Sequence, residues 1–493
     1  MLEMQKKLSN VFYAILALPA TAMGFALSIQ IAALSWILST QYGLEIHDVG
    51  LVWAAGPIAG ILGQVIIGLI SDKVWFWNGR RRPFIFIGGF LAALMLLALP
   101  NIDIISTSVG IGGILGVAIA VALTLDLAIN ISFNPTRSII ADVTPEGVER
   151  TKGYAWMQTI SGTFGVLAYV IGAVWDNYVL IYFGVALVLV LSIIPPFFIE
   201  EPRVLKQSED DDPSYKTSDN TSFLVMLNNI KPLWGFLIYS VYALTARMVN
   251  FKMDNYYVEI LCFAITLYFI IKVILAKTEG LSKKQRGIVG FKKVLAAHSF
   301  TWLGIQTMFV YMFAYVQYKV YGYVTGAEIA PAIQIEMGKV VAISFLILNA
   351  VGAILPAFVL EPITRRIGRV KTHAICISIM AIGYTGLLFF GFTPIMIYIL
   401  MGVLGVGWAA TISLPFAIMS QKVDQSQMGL FMGLFNLSVV LPQLVASFGV
   451  GQAVSDTPDK SLIFIISSVT LAISALLWFM VKEDQEPETS QSN

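Results

Sequence analysis

Long apolar runs alternate with short polar breaks along almost the whole chain. The runs fall near 11–38, 48–71, 83–100, 107–133, 153–175 and 178–199, then 297–318, 337–360, 371–392, 394–420, 427–450 and 460–481. Each comes close to the roughly 20 residues that an α-helix needs to cross a hydrocarbon core of about 30 Å, so the pattern predicts six plus six spans. Two more apolar segments lie between the sets, at 223–246 and 258–276. They read as an extra transmembrane hairpin, although Lys231 and Pro232 interrupt the first and leave an interfacial helix open for it. An even insertion keeps the halves in the same orientation. The predicted domains are a six-helix bundle over 1–199, a linker with the hairpin over 200–296, a second six-helix bundle over 297–482 and a polar cytoplasmic tail over 483–493. The acidic stretch after Glu200, EEPRVLKQSEDDDPSYKTSDNTS, reads as a solvated linker. Lys6 and Lys7 followed by an apolar stretch and PATA look like a cleavable leader. The run nevertheless continues through Leu38, which predicts an uncleaved first helix.

Composition agrees with that pattern. Hydrophobic residues make up 57% of the 493 residues and charged residues only 12%, which fits an all-α polytopic membrane protein and not a soluble domain. A net charge of +1 gives no footprint for nucleic acid, and none is expected as a partner. Basic residues matter by position instead. With the N-terminus inside, Lys6, Lys7, Lys73, Arg80–Arg82, Arg150, Lys152, Arg203, Lys283, Lys284, Arg286, Lys292, Lys293, Arg365, Arg366, Arg369, Lys371, Lys422 and Lys482 share one face, with Arg247, Lys252, Lys319, Lys339 and Lys460 as exceptions. The loops at 41–50, 100–106 and 176–178 carry no Lys or Arg, so both termini are predicted cytoplasmic. Cys262 and Cys376 form no disulfide framework or metal motif, and His47, His298 and His373 lack metal-ligand spacing. The histidines read as loop or helix-end residues, and no metal or cofactor is expected.

Asp126 is the main chemical suspect. It lies deep in the apolar stretch LTLDLAINISFNPTRSIIAD, and an ionised carboxylate in hydrocarbon is costly enough that such residues face a bundle interior or a wet cavity. At about 100° per residue, Asn130, Phe133 and Arg137 fall within about 40° of Asp126 around the helix, and Arg137 lies on the order of 16 Å further along it. One face thus offers a carboxylate, an amide, a ring and a guanidinium. Asp126 suits a central cavity and Arg137 its cytoplasmic end, with Pro135 as a possible kink. Desolvation favours the neutral acid, which can also donate to a hydroxyl. An interhelical hydrogen bond is the bland alternative.

The halves share a loop pattern. GLISDKVWFWNGRRRPF follows the second run, with Gly68, Asp72, Lys73, Gly79 and Arg80, Arg81 and Arg82; AFVLEPITRRIGRVK follows the eighth, with Glu361, Arg365, Arg366, Gly368, Arg369 and Lys371. Gly68 permits close helix approach, and Asp72 can pair with arginines in one conformation and release them in another. Enforcement of topology by the arginines is the simpler reading. The pattern resembles the GxxxD(R/K)xGRR loop of the major facilitator superfamily. GFALSIQIAALSW, VWAAGPIAGILGQVIIGLISD, LDLAINISFNPTRSIIAD, SLPFAI and GLFMGLFNLSVVLPQ further resemble segments of the sucrose–proton symporters, in the same order. That resemblance implies a major facilitator fold, two six-helix bundles plus an inserted two-helix hairpin. It also implies proton-coupled import of a disaccharide or glucoside, sucrose- or maltose-like, by alternating access. The pattern LDxxxNxxxxPxR matches Asp126, Asn130, Pro135 and Arg137, and implies that Asp126 is the proton and sugar-hydroxyl site.

Sugar recognition needs polar groups against hydroxyls and aromatic faces against C–H surfaces. The intramembrane candidates are Gln30, Gln64, Asn130, Gln158, Gln306, Tyr311, Asn436 and Gln443, with Asn349, Trp53, Trp156, Trp302 and Trp408 as further possibilities. Helix–helix bonding and interfacial anchoring compete with ligand contact at each. One departure is visible: the seventh helix reads FAYVQYKVYG, with Tyr318 and Lys319 where plant symporters carry an Arg-Glu pair. The expected partners are a sugar, protons and the lipid bilayer, with a monomer in the plasma (inner) membrane. A sodium-coupled glycoside transporter of the same fold and a non-transporting membrane sensor are the alternatives. An enzyme is not expected, since no nucleophile–base or metal constellation appears.

Overall fold

The computed structural model describes residues 3–60, 74–110, 113–145, 148–202, 223–249, 251, 255–324, 327–423 and 428–483. The main helices are α1 (Asn10–Thr40), α2 (Ile46–Trp53), α3 (Arg82–Ala98), α4 (Ile114–Val143), α5 (Val148–Val174), α6 (Asn177–Ile193), α7 (Trp234–Met248), α8 (Tyr257–Ile274), α9 (Lys283–Tyr315), α10 (Pro331–Leu355), α11 (Arg369–Phe390), α12 (Pro394–Ser413), α13 (Met428–Val445) and α14 (Leu462–Phe479). Eleven helices among the described residues are long and apolar enough to cross a membrane. The protein is an all-helical, multi-pass integral membrane protein.

Three expected spans fall outside those eleven. The second lies partly outside the described residues. The first arm of the hairpin is broken at Lys231–Leu233, and α7 has 15 residues, or about 22 Å at 1.5 Å per residue, short of a bilayer core. The seventh helix begins at Lys283, well before the expected 297, and its first turns carry Lys283, Lys284, Arg286, Lys292 and Lys293. α4 also departs from expectation. Gly110 and Gly113 adopt φ of 66° and 101° and separate it from the helix Ile102–Val109. It then runs on through Pro135 to Val143, ten residues past the predicted end at Phe133.

Helix starts follow local chemistry where a capping residue is available. Ser9 accepts from the Phe12 N–H at 3.2 Å, and Asp176 accepts from the Val179 N–H at 2.8 Å. α3 and α11 have no such side-chain cap of their own.

The chain forms two compact units. In the first, α1 packs on α5 and α6, and α3 packs on α4 and α6. Residues 309–346 and 450–460 belong to this unit, and Ser35 Oγ donates to the Val310 carbonyl at 2.9 Å while Trp36 Nε1 donates to the Gln334 carbonyl at 2.8 Å. In the second unit, α11 packs on α12 and α14, and α7 packs on α8 and α13.

Candidate functional site

Asp126 lies within the first unit, 5% exposed. Gln30, 2% exposed on α1, donates from Nε2 to Asp126 Oδ2 at 2.9 Å. Gly56 closes the other side: a Cβ there would stand 3.5 Å from both carboxyl oxygens. Asn130, one turn on, folds back to donate from Nδ2 to the Asp126 carbonyl at 2.8 Å. Further along, the Arg137 guanidinium lies over the Phe133 ring at 4.6 Å, Arg137 is exposed, and Tyr154 Oη donates to its carbonyl at 3.2 Å. Among the described residues no Lys, Arg or His pairs with the Asp126 carboxyl group. Gln30 Oε1 is buried and has no partner. Among the described residues the site therefore holds one carboxyl group, one amide whose oxygen has no partner, and no counter-charge, a composition suited to trading protons and hydroxyl hydrogen bonds.

The other expected residues that are described divide between the two units. Gln64, Gly68 and Asp72 lie outside the described residues. Gln158 is exposed on α5. Tyr311 is 1% exposed in the first unit, against Gly451, where a Cβ would meet its hydroxyl at 2.5 Å. In the second unit Gln443 Nε2 donates to Gln306 Oε1 at 3.1 Å, and Asn436 is half-buried on α13. Trp302 and Trp408 meet edge-on there at 6.2 Å, and Trp408 Nε1 donates to Asn349 Oδ1 at 3.2 Å.

One histidine corrects the sequence reading. His298 lies in the middle of α9, not in a loop or at a helix end, while His373 sits near the start of α11; they are 2% and 0% exposed. His298 stacks on Phe435 at 4.7 Å and accepts from Trp302 Nε1 at 3.0 Å. Trp478 stands edge-on to His373 at 4.3 Å. Aromatic neighbours from other helices shield both rings.

The basic loops show what sequence reasoning missed. The backbone N–H groups of Arg80 and Arg81 donate to Glu201 Oε2, and that of Arg82 to Oε1, each at 2.8 Å. In the second half, Arg369 N–H donates to Glu483 Oε1 at 2.9 Å and Val370 N–H to Oε2 at 2.8 Å. A carboxylate just past the last helix of each half thus caps the third helix of that half. The glycines explain the fit: a Cβ on Gly79 would lie 2.6 Å from Glu201 Oε1, and one on Gly368 would lie 2.6 Å from Glu483 Oε2. Arg81 also pairs with Asp142 at 3.0 Å, whereas Glu361 and Arg365 form an exposed pair at 2.6 Å one turn apart. Extending the loop repeat to the end of each half would have exposed Glu201 and Glu483 as equivalents.

Comparison with known proteins follows the same lines. Sucrose transport protein SUT2 of Oryza sativa subsp. indica is 23% identical over 494 residues, covering 88% of this chain and 84% of that protein. The general alpha-glucoside permease of Schizosaccharomyces pombe is 31% identical over 153 residues, 28% of each chain. Among solved structures, the nucleoside transporter NupG matches with a TM-score of 0.57 at 13% identity, covering 97% of this chain and 100% of that one. An auto-inhibited POT family peptide transporter matches with a TM-score of 0.63 at 11% identity, covering 97% and 99%. The sequence profile of the Major Facilitator Superfamily matches residues 16–449, and the chain belongs to that family.

Proposed function

We propose that this protein is a proton-coupled symporter that imports a disaccharide or glucoside of the sucrose or maltose type by alternating access. The observation that carries the reading is the Asp126 carboxyl group, buried without a counter-ion and bonded to Gln30. A carboxylate in that setting is expensive when charged and readily held as the neutral acid, and as the acid it can donate to a sugar hydroxyl. The sucrose and alpha-glucoside transport named for its relatives supports the same substrate class. Asn130 holds the Asp126 turn, Arg137 marks the cytoplasmic end of that helix face, and Gln306 with Gln443 is a second polar pair that can meet hydroxyls. The loops bearing Arg80–Arg82, Glu361 and Arg365 belong to the gating machinery of a monomer. Both termini are cytoplasmic in the plasma (inner) membrane in this reading. If only the empty and the doubly loaded carrier reorient easily, sugar movement is tied to proton movement. A proton-motive force of about 150 mV supplies roughly 3.5 kcal/mol per proton at ~2.3 kcal/mol per 100 mV, enough for about 300-fold accumulation.

The test is uptake of radiolabelled sucrose, maltose and trehalose into proteoliposomes under an imposed pH gradient. At least one sugar is expected to accumulate above equilibrium and to fall back when the gradient is collapsed. Accumulation that follows a sodium gradient and ignores the proton gradient overturns proton coupling.

A further inference from the structure

We propose that Gln30 reads the protonation state of Asp126 and relays it to the sugar: its side-chain amide turns over when the carboxyl group takes a proton, and the site changes from offering an acceptor to offering a donor. The inference rests on the function proposed above. An ionised carboxylate only accepts hydrogen bonds, so the amide must face it with Nε2, the arrangement seen at 2.9 Å. That orientation leaves Oε1 buried without a partner, on a residue only 2% exposed. A ligand hydroxyl donating to Oε1 would satisfy it. Once Asp126 is protonated, its O–H is a donor and is best met by Oε1. Rotation of about 180° around the last side-chain bond achieves this, because that torsion is broad and roughly two-fold. The NH2 group then points where Oε1 had been. No covalent bond changes other than the O–H formed with a proton from solvent, and no heavy atom outside the amide must move.

Other ionisable groups are poorly placed to give the same signal. α1 contains no Asp, Glu, Lys, Arg or His, and residues 49–60 and 153–174 contain none either. His47 and Asp48 sit at the start of α2, Arg82 at the start of α3, and Glu149, Arg150 and Lys152 at the start of α5. The tyrosines of α1 and α5 bond or pack elsewhere: Tyr13 donates to Glu149 at 2.5 Å, Tyr154 to the Arg137 carbonyl at 3.2 Å, and Tyr169 lies 6.2 Å from Phe345. Among the described residues, Asp126 and Gln30 thus form a two-group switch.

The experiment uses the full chain in nanodiscs and reads two signals. Infrared difference spectra between acid and alkaline buffer, with 13C-labelled glutamine side chains, are expected to show a protonated-carboxyl band and a glutamine amide shift that titrate together. Both should vanish in Asp126→Asn, and this arm needs no Gln30 variant. Binding of radiolabelled sucrose and maltose from pH 5 to 8.5 supplies the second signal. The dissociation constant is expected to change about tenfold across that range in the wild type and less than about twofold in Gln30→Leu, although the carboxyl band persists in that variant. A carboxyl band without any glutamine shift, or an unchanged pH profile in Gln30→Leu, overturns the role of Gln30 and leaves proton coupling intact. A wild type with neither a carboxyl band nor gradient-driven uptake overturns the proposed function and this inference with it.

Discussion

Replacing Gly79 by Ala should destabilise the first unit only as long as Glu201 is present. The start of α3 has no cap of its own, and Glu201 supplies one by accepting from three successive N–H groups at 2.8 Å. A side-chain cap contributes about 1–2 kcal/mol, and an anion at a helix N-terminus adds about 0.3–1 kcal/mol. Glu201→Ala should therefore cost about 1.3–3 kcal/mol by these two effects together. In Gly79→Ala the new methyl would lie 2.6 Å from Glu201 Oε1 and 3.1 Å from Arg82 Cβ, so the carboxylate must leave and a similar loss follows. The double variant should lose about as much as either single one, a coupling of about 2 kcal/mol, within the range seen for residues in contact. Unfolding of the purified protein in mixed micelles, followed by far-ultraviolet circular dichroism, gives all four corners of the cycle. Additive losses would refute the idea that Gly79 is there to admit Glu201.

Three further outcomes follow from single contacts. Arg81→Ala should cost about 3 kcal/mol or more, since it strands Asp142 from an ion pair whose side chains are 8% and 11% exposed; Asp142→Ala in the same background should recover part of the loss in the same unfolding assay. Gly89→Ala should lower folded yield, because a Cβ there would overlap Ser192 on α6, and Ser192→Gly should restore the size-exclusion peak of the wild type. His298→Phe removes the acceptor of the part-buried Trp302 indole and should cost about 1 kcal/mol, the low end for an unsatisfied donor, with His298→Gln costing less if its side-chain oxygen takes over.

Much of the helical order is legible from hydropathy, and the misses have specific causes. α1, α3, α11 and α14 begin and end within about two residues of the apolar runs, because Ser9, Pro83, Gly368 and the polar residues around Ser461 mark those ends. Hydropathy reports contact with lipid, not backbone hydrogen bonding. It drops at Asn134–Arg137, yet α4 continues there because Pro135 and Thr136 are buried against protein. It likewise hides the charged first turns of α9, which are helical without needing an apolar surface. His298 and His373 looked peripheral because an imidazole counts as polar, whereas their aromatic neighbours come from helices far away in sequence. The candidate site was legible as separate polar residues in apolar runs, Asp126 and Gln30 among them. Their contact was not, because it joins positions 96 residues apart. Glu201 and Glu483 were hidden similarly: each looked like linker or tail until the loop it caps was seen.

Proton flux driven by sugar tests the coupling role of Asp126 most directly. Proteoliposomes containing a trapped pH indicator, with no initial pH gradient, would receive external sucrose or maltose, whichever is taken up. The wild type is expected to acidify the lumen as sugar enters, at a fixed ratio of protons to sugar. Asp126→Asn, which keeps the size of the side chain and can still bond Gln30, is expected to give no acidification while it exchanges labelled for unlabelled sugar. Equal acidification by the variant would contradict the assignment of Asp126 as the proton carrier.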